Sequence, residues 1–394
     1  MGRRKRPERL KVVTLLDHPD VSGGGERMAV SVAMRLDPSR FESVLCATRS
    51  VGKPTFEDDL RAAGVEIMRL DRRSRTDFAA WRPLFKYLRD GVHVLHAHKF
   101  GSNVWGTLLG RLARVPVVIA HEQSWASARS STAGPFVRST IDREVIARGA
   151  DVFIAVSEAD KRRMIEVEGI PSRRLRVIPN AVPAPVPAGH DVRAELGIPA
   201  SAPVVVTVCQ LRPEKAVEVL VEAAALLRDR RPELRVLVAG DGAERVRLES
   251  LIEELGLADT VLLLGTRRDV PDILVAADVA VCCSDFEGTP LSVMEYMGAG
   301  KPVVATRVGG LPEVVQDGVH GFLIPPRDPV GLADALARLL EDEPLRRRLG
   351  EAARVRQQTT FDLDGAVRRI EELYDQLFLS SGRLDGGHLA HFAP

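Results

Sequence analysis

Short apolar runs that alternate with helical stretches are the feature that most constrains the fold of this chain. In the first half, the runs lie at Leu10–Leu16, Phe41–Ala47, Val65–Leu70, Val92–His96, Val117–Ala120 and Val152–Val156. In the second half, they lie at Val204–Val208, Leu234–Ala239, Val261–Leu264, Val279–Cys283, Val303–Thr306 and Phe322–Ile324. Such runs are typical of strands buried on both faces. Their alternation with helices predicts an α/β protein with parallel, doubly wound sheets.

A proline-rich segment at 183–189 divides the runs into two sets. Proline can continue neither a helix nor a central strand, so this segment is a natural joint between domains. The 394 residues are enough for two domains, each with its own core. We predict an N-terminal domain at 1–185, a C-terminal domain at 186–360, a final helix at 361–378 and a frayed tail at 379–394.

Composition excludes several classes of protein. The formal net charge of +1 disfavours nucleic acid as a partner, since nucleic-acid binding usually requires a basic excess. Cys46, Cys209, Cys282 and Cys283 lack metal-ligand spacing and are typical of core residues in a reducing compartment. No apolar run is long enough for a membrane span, and the start of the chain lacks the apolar segment of a secretory signal. We therefore expect a cytoplasmic protein.

The turn after Val279–Cys283 carries the first candidate site. Thr289 followed by Pro290 is a helix start, with a hydroxyl at the N-cap and proline at the first helical position. Free backbone N–H groups and the positive end of the helix dipole favour anion binding at Gly288, Thr289, Leu291 and Ser292.

Two glutamates flank this turn. Glu287 precedes the predicted helix, and Glu295 lies within it. A carboxylate on each side of a phosphate-binding turn suits a ligand with hydroxyls on both sides of its phosphates, such as a nucleotide sugar. The alternative is that both are solvated charges near a helix end.

A glycine-rich turn follows the first strand. Gly24 and Gly25 precede a helix whose apolar stripe is Met28, Val32 and Leu36. A strand, a glycine turn and a helix allow a phosphate to approach; the alternative is a tight turn that needs glycine for its backbone alone. A dinucleotide fingerprint would require alternating glycines and an acidic residue after the next strand, and neither is clean here. This disfavours a nicotinamide-dependent oxidoreductase.

Histidines stand at the ends of two predicted strands. His96, His98 and His121 fall at the carboxyl ends, where ligands bind in such sheets. The alternative to ligand contact is that the three histidines coordinate a zinc ion. The spacing matches no known metal motif, and no cysteine or carboxylate cluster completes the set, so we predict no metal site.

The run from Asp278 to Glu313 resembles the signature of the retaining, family 4 type glycosyltransferases (glycosyl transferases group 1). In that family the first signature glutamate holds hydroxyls of the donor sugar and the second holds the ribose, which implies these roles for Glu287 and Glu295. The resemblance implies the GT-B fold, with two Rossmann-like domains facing across a cleft. The final helix, at 361–378, would cross back to the N-terminal domain.

The same resemblance assigns further residues. Lys215 matches the lysine that grips the donor diphosphate, whereas Gln210 replaces the usual arginine, so we expect Arg212 to supply that charge. Exposed loop charges are the alternative for this segment. His121 matches a histidine that contacts the donor hexose.

Two other segments resemble parts of the family's donor site. Gly24 and Gly25 resemble a loop that lines the cleft, and backbone groups near Thr266 and Arg267 would receive the base.

The implied reaction moves a hexosyl group from a nucleoside diphosphate sugar to a hydroxyl of a carbohydrate or lipid-linked acceptor, without cofactor or metal. It would serve the synthesis of cell-surface polysaccharide, glycolipid or glycoconjugate. Basic groups at 161–163 and 173–174 either touch the inner face of the membrane or are simply solvated.

Alternatives of other classes remain at this stage. One is a nucleotide-sugar 2-epimerase of the same fold, and another is a catalytically silent partner subunit, which Gln210 keeps open. The base, the sugar, the acceptor and the oligomeric state are not specified by these motifs.

Overall fold

The computed structural model describes residues 6–19, 23–49, 56–74, 77–123 and 135–381. The chain forms two compact units. The first unit contains the residues up to Pro179 and those from Leu363 onward, and the second unit is Asn180–Asp362. The proline-rich segment 183–189 therefore belongs to the second unit, a few residues beyond its start. Most of the predicted tail, from residue 382, lies outside the described residues.

The first unit is built on a parallel sheet. Its strands are β1 (Leu10–Leu16), β2 (Phe41–Ala47), β3 (Glu66–Arg69), β4 (Val94–His98), β5 (Val117–His121), β6 (Val152–Ala155) and β7 (Leu175–Val177). Its helices before the second unit are α1 (Gly24–Arg35), α2 (Glu57–Ala62), α3 (Arg82–Arg89), α4 (Lys99–Leu112), α5 (Pro135–Ile141), α6 (Ala147–Gly149) and α7 (Glu158–Glu166). In the described part, the strand order is β3-β2-β1-β4-β5-β6-β7.

The second unit repeats this design. Its strands are β8 (Val204–Val208), β9 (Arg235–Ala239), β10 (Val261–Gly265), β11 (Val279–Cys282), β12 (Val303–Thr306) and β13 (Gly321–Ile324). Its helices are α8 (Val192–Glu195), α9 (Val217–Arg228), α10 (Arg245–Glu254), α11 (Val270–Ala276), α12 (Leu291–Gly298), α13 (Leu311–Val314), α14 (Pro329–Glu341) and α15 (Glu343–Thr360). The strand order is β10-β9-β8-β11-β12-β13.

Alternate strand residues pack on opposite faces of each sheet. In β8, Val205 belongs to a core cluster on one face, while Val204 and Val206 belong to the cluster on the other face. The pattern is the same in β1, where Val13 and Leu16 belong to different clusters. Both faces are therefore apolar because helices cover both. This confirms the predicted doubly wound α/β sheets.

Strand order reverses at one point in each sheet, between β1 and β4 in the first unit and between β8 and β11 in the second. Ligands of doubly wound sheets bind at such switch points, outside the carboxyl ends of the strands. The loops after these four strands are therefore the places to look for a site.

The last helix, α16 (Leu363–Ser381), is part of the first unit. It buries a stripe in which apolar residues recur every four positions: Ala366, Ile370, Tyr374 and Phe378. Arg40 adds ion pairs to Glu371 at 2.7 Å and to Asp375 at 2.6 Å. This helix therefore completes the core of the first unit, although the whole second unit lies between them in the sequence.

Candidate functional site

The loops after β8 and β11 meet at the switch point of the second unit. A 3-10 turn at Pro213–Lys215 follows β8, and the backbone N–H of Asp285 donates to the carbonyl of Glu214 at 2.9 Å. Ala216 then adopts a left-handed φ of 49°. Glycine would adopt that φ without strain, whereas alanine adopts it at a cost. These contacts fix Lys215 beside the loop that carries Glu287.

Glu287 is held at the centre of this site. Its Oε1 accepts hydrogen bonds from Lys215 Nζ at 2.5 Å and from Ser284 Oγ at 2.7 Å. Thr306 Oγ1 donates to the Ser284 carbonyl at 2.5 Å and thereby positions the serine. Glu287 is only 8% exposed. Within the described residues Oε2 has no hydrogen-bond partner, so this oxygen is available to a ligand hydroxyl.

Lys215 remains positively charged in this setting. Burial by itself would lower the pKa of its ammonium group, but the negative charge of Glu287 and the hydrogen bond to it raise that pKa above its ordinary value. A lysine fixed as a cation beside a helix start suits the binding of a diphosphate.

Two neighbouring glycines, Gly309 and Gly310, fix the backbone of Glu287. The N–H of Gly310 donates to the Glu287 carbonyl at 3.0 Å. Gly309 has a φ of +50°, and a Cβ there would lie 1.8 Å from the same carbonyl oxygen. Only glycine fits at this position, because any side chain would displace the backbone of Glu287.

The start of α12 differs from the prediction. The helix begins at Leu291 with Pro290 as its N-cap residue, not with Thr289 as the cap and Pro290 inside the helix. The Thr289 hydroxyl is used elsewhere: it accepts from the backbone N–H of Asn180 at 3.3 Å. A tertiary contact thus overrides the local capping preference, and the helix starts one residue later.

The polar face of α12 carries the second predicted glutamate. Ser292 and Glu295 are one turn apart and half-buried, whereas Val293 and Met294 are fully buried. Tyr296 anchors the helix, because its hydroxyl accepts from Val208 N at 2.6 Å and donates to Val208 O at 3.2 Å. The predicted positions Gly288, Thr289 and Leu291 are all buried around the helix start.

Other predicted residues lie farther from this centre. Arg212 is exposed and its guanidinium is 3.9 Å from Glu214. Thr266 and Arg267 follow β10, the edge strand, two strands away from β8. The guanidinium of Arg267 is held by Glu195 at 2.7 Å and by Asp269 at 2.6 Å, so this side chain is engaged within the chain itself.

Arg327 is a residue of this region that sequence reasoning missed. Its guanidinium bridges Glu218 and Asp285, with an Nε–Oδ1 distance of 2.7 Å to Asp285. Its φ of +59° is rare outside glycine. The bridge ties the Glu287 loop to α9, and no local sequence pattern signals it.

The three predicted histidines come together in the first unit. They lie within the last residues of β4 and β5. Strand β4 ends at His98, two residues beyond its predicted apolar run, and His98 pairs with His121 of β5. His96 Nε2 is 3.2 Å from His121 Nδ1, and His96 Nδ1 is 2.7 Å from the hydroxyl of Tyr374. The side chain of Asn103 donates to the His121 carbonyl and accepts from its N–H.

These imidazoles are neutral. Each is at most 2% exposed, and burial lowers the pKa of His121 to about 3. Burial and the neighbouring imidazoles hold the pKa values of His96 and His98 well below the ordinary range. One ring nitrogen of each lies within 4.8 Å of the others, a spacing that a metal ion could also use. In the described structure the buried Nε2 atoms of His98 and His121 have no hydrogen-bond partner.

Gly24 and Gly25, predicted as a turn before the helix, are instead the first two residues of α1, beside this cluster. A Cβ on Gly25 would lie 2.8 Å from the Cβ of Gln123, whose Nε2 is 3.2 Å from His98 Nδ1. Glu26 is buried, pairs with Lys99 and lies over Gly23, where a Cβ would meet its Oε2 at 2.0 Å. The first turn of α1 is therefore covered by a carboxylate of the chain itself, which disfavours a phosphate there and suits hydroxyl ligands.

Two doubly wound units with polar groups at their switch points define the GT-B type of architecture. Solved structures agree. The Anabaena protein HepE, solved in complex with UDP-glucose, matches with a TM-score of 0.80 at 22% identity, covering 93% of this chain and 100% of that chain. Sucrose-phosphate synthase from Thermosynechococcus elongatus matches with a TM-score of 0.78 at 24% identity, covering 94% and 100%.

Family models cover both units. Residues 22–184 match Glycosyltransferase Family 4, and residues 190–356 match Glycosyl transferases group 1. A D-inositol 3-phosphate glycosyltransferase of Thermomonospora curvata is 34% identical over 309 residues, which are 71% of this chain and 70% of that protein. The chain belongs to glycosyltransferase family 4.

Another relative is longer. The exopolysaccharide phosphotransferase of Streptomyces coelicolor is 29% identical over 402 residues, and the match spans 93% of this chain but 41% of that protein. Among the residues that the structure describes, no helix has the length and apolar character needed to cross a membrane.

Proposed function

We propose that this glycosyltransferase is a retaining, metal-independent hexosyltransferase that uses a nucleoside diphosphate sugar as donor and a hydroxyl of a carbohydrate or lipid-linked molecule as acceptor. The observation that carries the proposal is the buried Glu287, with one carboxylate oxygen fixed by Lys215 and Ser284 and the other without a partner among the described residues. HepE, a structural neighbour, was solved with UDP-glucose, which supports a nucleotide-sugar donor.

The second unit would bind the donor. Lys215 and the N–H groups at the start of α12 would neutralise the diphosphate, where negative charge grows as the glycosidic bond breaks. Glu287 Oε2 would accept hydrogen bonds from hexose hydroxyls, and Glu295 would accept them from the ribose. Arg212, exposed on the same loop as Lys215, would add a second positive charge. Backbone groups of Thr266 and Arg267 would receive the base.

The first unit would contribute hydroxyl recognition. His121 would donate to a hydroxyl of the donor hexose, with Gly24 and Gly25 beside it. Arg162, Arg163 and Arg173 are exposed cations that could approach anionic lipid if the acceptor is held in a membrane.

The proposed reaction is a same-face substitution. The bond from the anomeric carbon to the diphosphate breaks, the acceptor oxygen bonds to that carbon on the same face, and the leaving phosphate takes the acceptor proton. The protein would supply positioning and charge stabilisation, and no covalent enzyme intermediate is required.

Product analysis tests this proposal. The purified protein is incubated with a panel of nucleoside diphosphate sugars and candidate acceptors, with and without EDTA, and the anomeric configuration of the product is read by proton NMR. We expect retention and no effect of EDTA. An inverted product, or activity that EDTA removes, would contradict it.

A variant pair tests the role of Glu287 and separates the alternatives. Glu287→Gln should reduce transfer by roughly 100-fold or more while leaving nucleoside diphosphate binding nearly unchanged. Glu254→Gln, at an exposed position on α10, is the matched control and should behave as wild type. Conversion of a nucleotide sugar without any acceptor would indicate an epimerase instead, and donor binding without turnover would indicate a silent subunit.

A further inference from the structure

We propose that a hydrogen-bond chain from the last helix, through Tyr374 and His96, fixes His121 as the neutral tautomer with its proton on Nε2. The cluster would then present N–H donors to an oxygen ligand, not lone pairs to a metal ion. The choice of a sugar hydroxyl as that ligand rests on the proposed function, whereas the tautomer itself does not.

The chain is continuous and buried. Tyr374 is fully buried, and its hydroxyl is 2.7 Å from His96 Nδ1. His96 Nε2 is in turn 3.2 Å from His121 Nδ1, and the two rings are nearly parallel, at 5°. In the described structure, each of these atoms has one hydrogen-bond partner within the chain.

The tyrosine determines the direction of the protons. A phenol carries one O–H donor, and the acceptor that the described structure offers it is His96 Nδ1. His96 must therefore carry its proton on Nε2 and donate it to His121 Nδ1. His121 then carries its own proton on Nε2. The reverse direction would leave the O–H of Tyr374 unpaired deep in the core, whereas this direction moves the one unpaired donor to His121 Nε2, beside His98 Nε2 and Gln123 Oε1, where a ligand oxygen could accept it.

The hydrogen bonds of His96 also disfavour a metal ion at this cluster. Both nitrogens of His96 are engaged, so binding of an ion by His96 would break one of the two hydrogen bonds. The cluster instead offers an N–H of His121, and an N–H of His98 if Gln123 donates to His98 Nδ1 as its geometry indicates. Both Nε2 atoms and Gln123 Oε1 are buried without partners in the described structure. Two donors and one acceptor match neighbouring hydroxyl groups.

Nitrogen NMR of the full chain tests the tautomer without any substrate. The protein is labelled with ¹⁵N-histidine, the signals are assigned by single His→Asn variants, and long-range proton–nitrogen spectra are recorded at neutral pH. We expect the Nε2–H pattern for both His96 and His121. The Nδ1–H pattern at His121 would overturn the proposal, as would metal-bound nitrogen shifts at all three histidines after addition of one equivalent of Zn²⁺.

Tyr374→Phe tests the origin of the bias. This variant keeps the ring that packs edge-on against Phe41 at 6.0 Å and removes only the O–H. His121 should then show a detectable Nδ1–H fraction, of about a tenth or more, because either tautomer of His96 now leaves one nitrogen unpaired. An unchanged spectrum would contradict the proposal. Tyr296→Phe, an equally buried tyrosine in the second unit, is the matched control and should leave His121 unchanged.

The result is independent of the proposed reaction. An inactive protein with His121 in the Nε2–H form would refute the transferase proposal alone. An active retaining transferase with the opposite tautomer would refute this inference alone.

Discussion

The two units place chemically different groups at the carboxyl ends of strands at or beside the switch point of the same type of sheet. In the first unit the ends of β4 and β5 carry neutral imidazoles, and in the second unit the loops after β8 and β11 carry an ion pair between Lys215 and the buried Glu287. Neutral donors suit hydroxyl groups, whereas a cation beside a helix start suits a diphosphate. We infer that the sheet determines where a ligand can bind, and that the side chains at the strand ends determine which kind of ligand suits that place.

Removing Lys215 should give the largest loss of ligand affinity, because it takes away the fixed cation that distinguishes the second unit from the first. Lys215→Ala removes the fixed cation and leaves Glu287 buried without its ion-pair partner. We expect roughly 100-fold weaker nucleoside diphosphate binding, about 2.7 kcal/mol, measured by calorimetry. Lys86→Ala, at an exposed lysine of the first unit, is the control. Unchanged affinity in Lys215→Ala would refute the assigned role.

Gly309→Ala tests whether backbone geometry fixes Glu287. The new Cβ would lie 1.8 Å from the Glu287 carbonyl oxygen at a φ of +50°. We expect a loss of about 2–3 kcal/mol in the free energy of unfolding and reduced transfer. Gly318 has a φ of +72° and open space around it, so Gly318→Ala should cost only about 1 kcal/mol by chemical denaturation. Equal losses in the two variants would show that the contact with Glu287 is unimportant.

A fall in pH should reduce the stability that the neutral His121 gives to the first unit. The folded-state pKa of His121 is about 3, below its ordinary value near 6.5, so the unfolded state binds the additional proton. Stability from this group is complete above pH 6.5 and is lost as the pH falls toward 3. The difference in unfolding free energy between wild type and His121→Asn should therefore shrink by about 1.4 kcal/mol per pH unit between pH 6 and 4.

The prediction for His121 compares the unfolding free energies of two proteins because Asp142, in the same unit, has the opposite effect on stability in acid. Burial and the charge of Glu122 raise the pKa of Asp142 to about 8, so its protonation stabilises the folded state as the pH falls. This contribution cancels between wild type and His121→Asn. Above pH 7 the two stability curves should be parallel, and a difference that does not change in acid would contradict a buried, neutral His121.

The smallest expected effect distinguishes Arg212 from Gln210. If Arg212 supplies the second positive charge, Arg212→Ala should weaken nucleoside diphosphate binding by several-fold, roughly 1 kcal/mol, because an exposed cation is screened by solvent. Gln210→Ala should change the affinity less. Equal, mild effects in a titration would leave Lys215 as the cation that binds the diphosphate.

The sequence by itself determined the elements and much of the second-unit site. Strands buried on both faces are visible as apolar runs, so β2, β8 and β12 have the predicted bounds. The signature run predicted Glu287 and a separate resemblance to the family predicted Lys215, and the structure places the two in contact. Local composition was sufficient for the strands because an apolar run depends on neighbours close in the chain, whereas Glu287 and Lys215 were predicted from the family resemblance.

The tertiary structure decided the contacts that hold those residues. Thr289 is a poor guide to the helix start because the N–H of Asn180 occupies its hydroxyl, and β4 ends two residues beyond its apolar run because His98 pairs with His121 of β5. Tyr374 and His96 are 278 residues apart, and no periodic pattern links positions at that distance. Such partners become neighbours only when the last helix packs into the first unit, since hydrogen-bond direction and proton position depend on atoms in space and not on residue order.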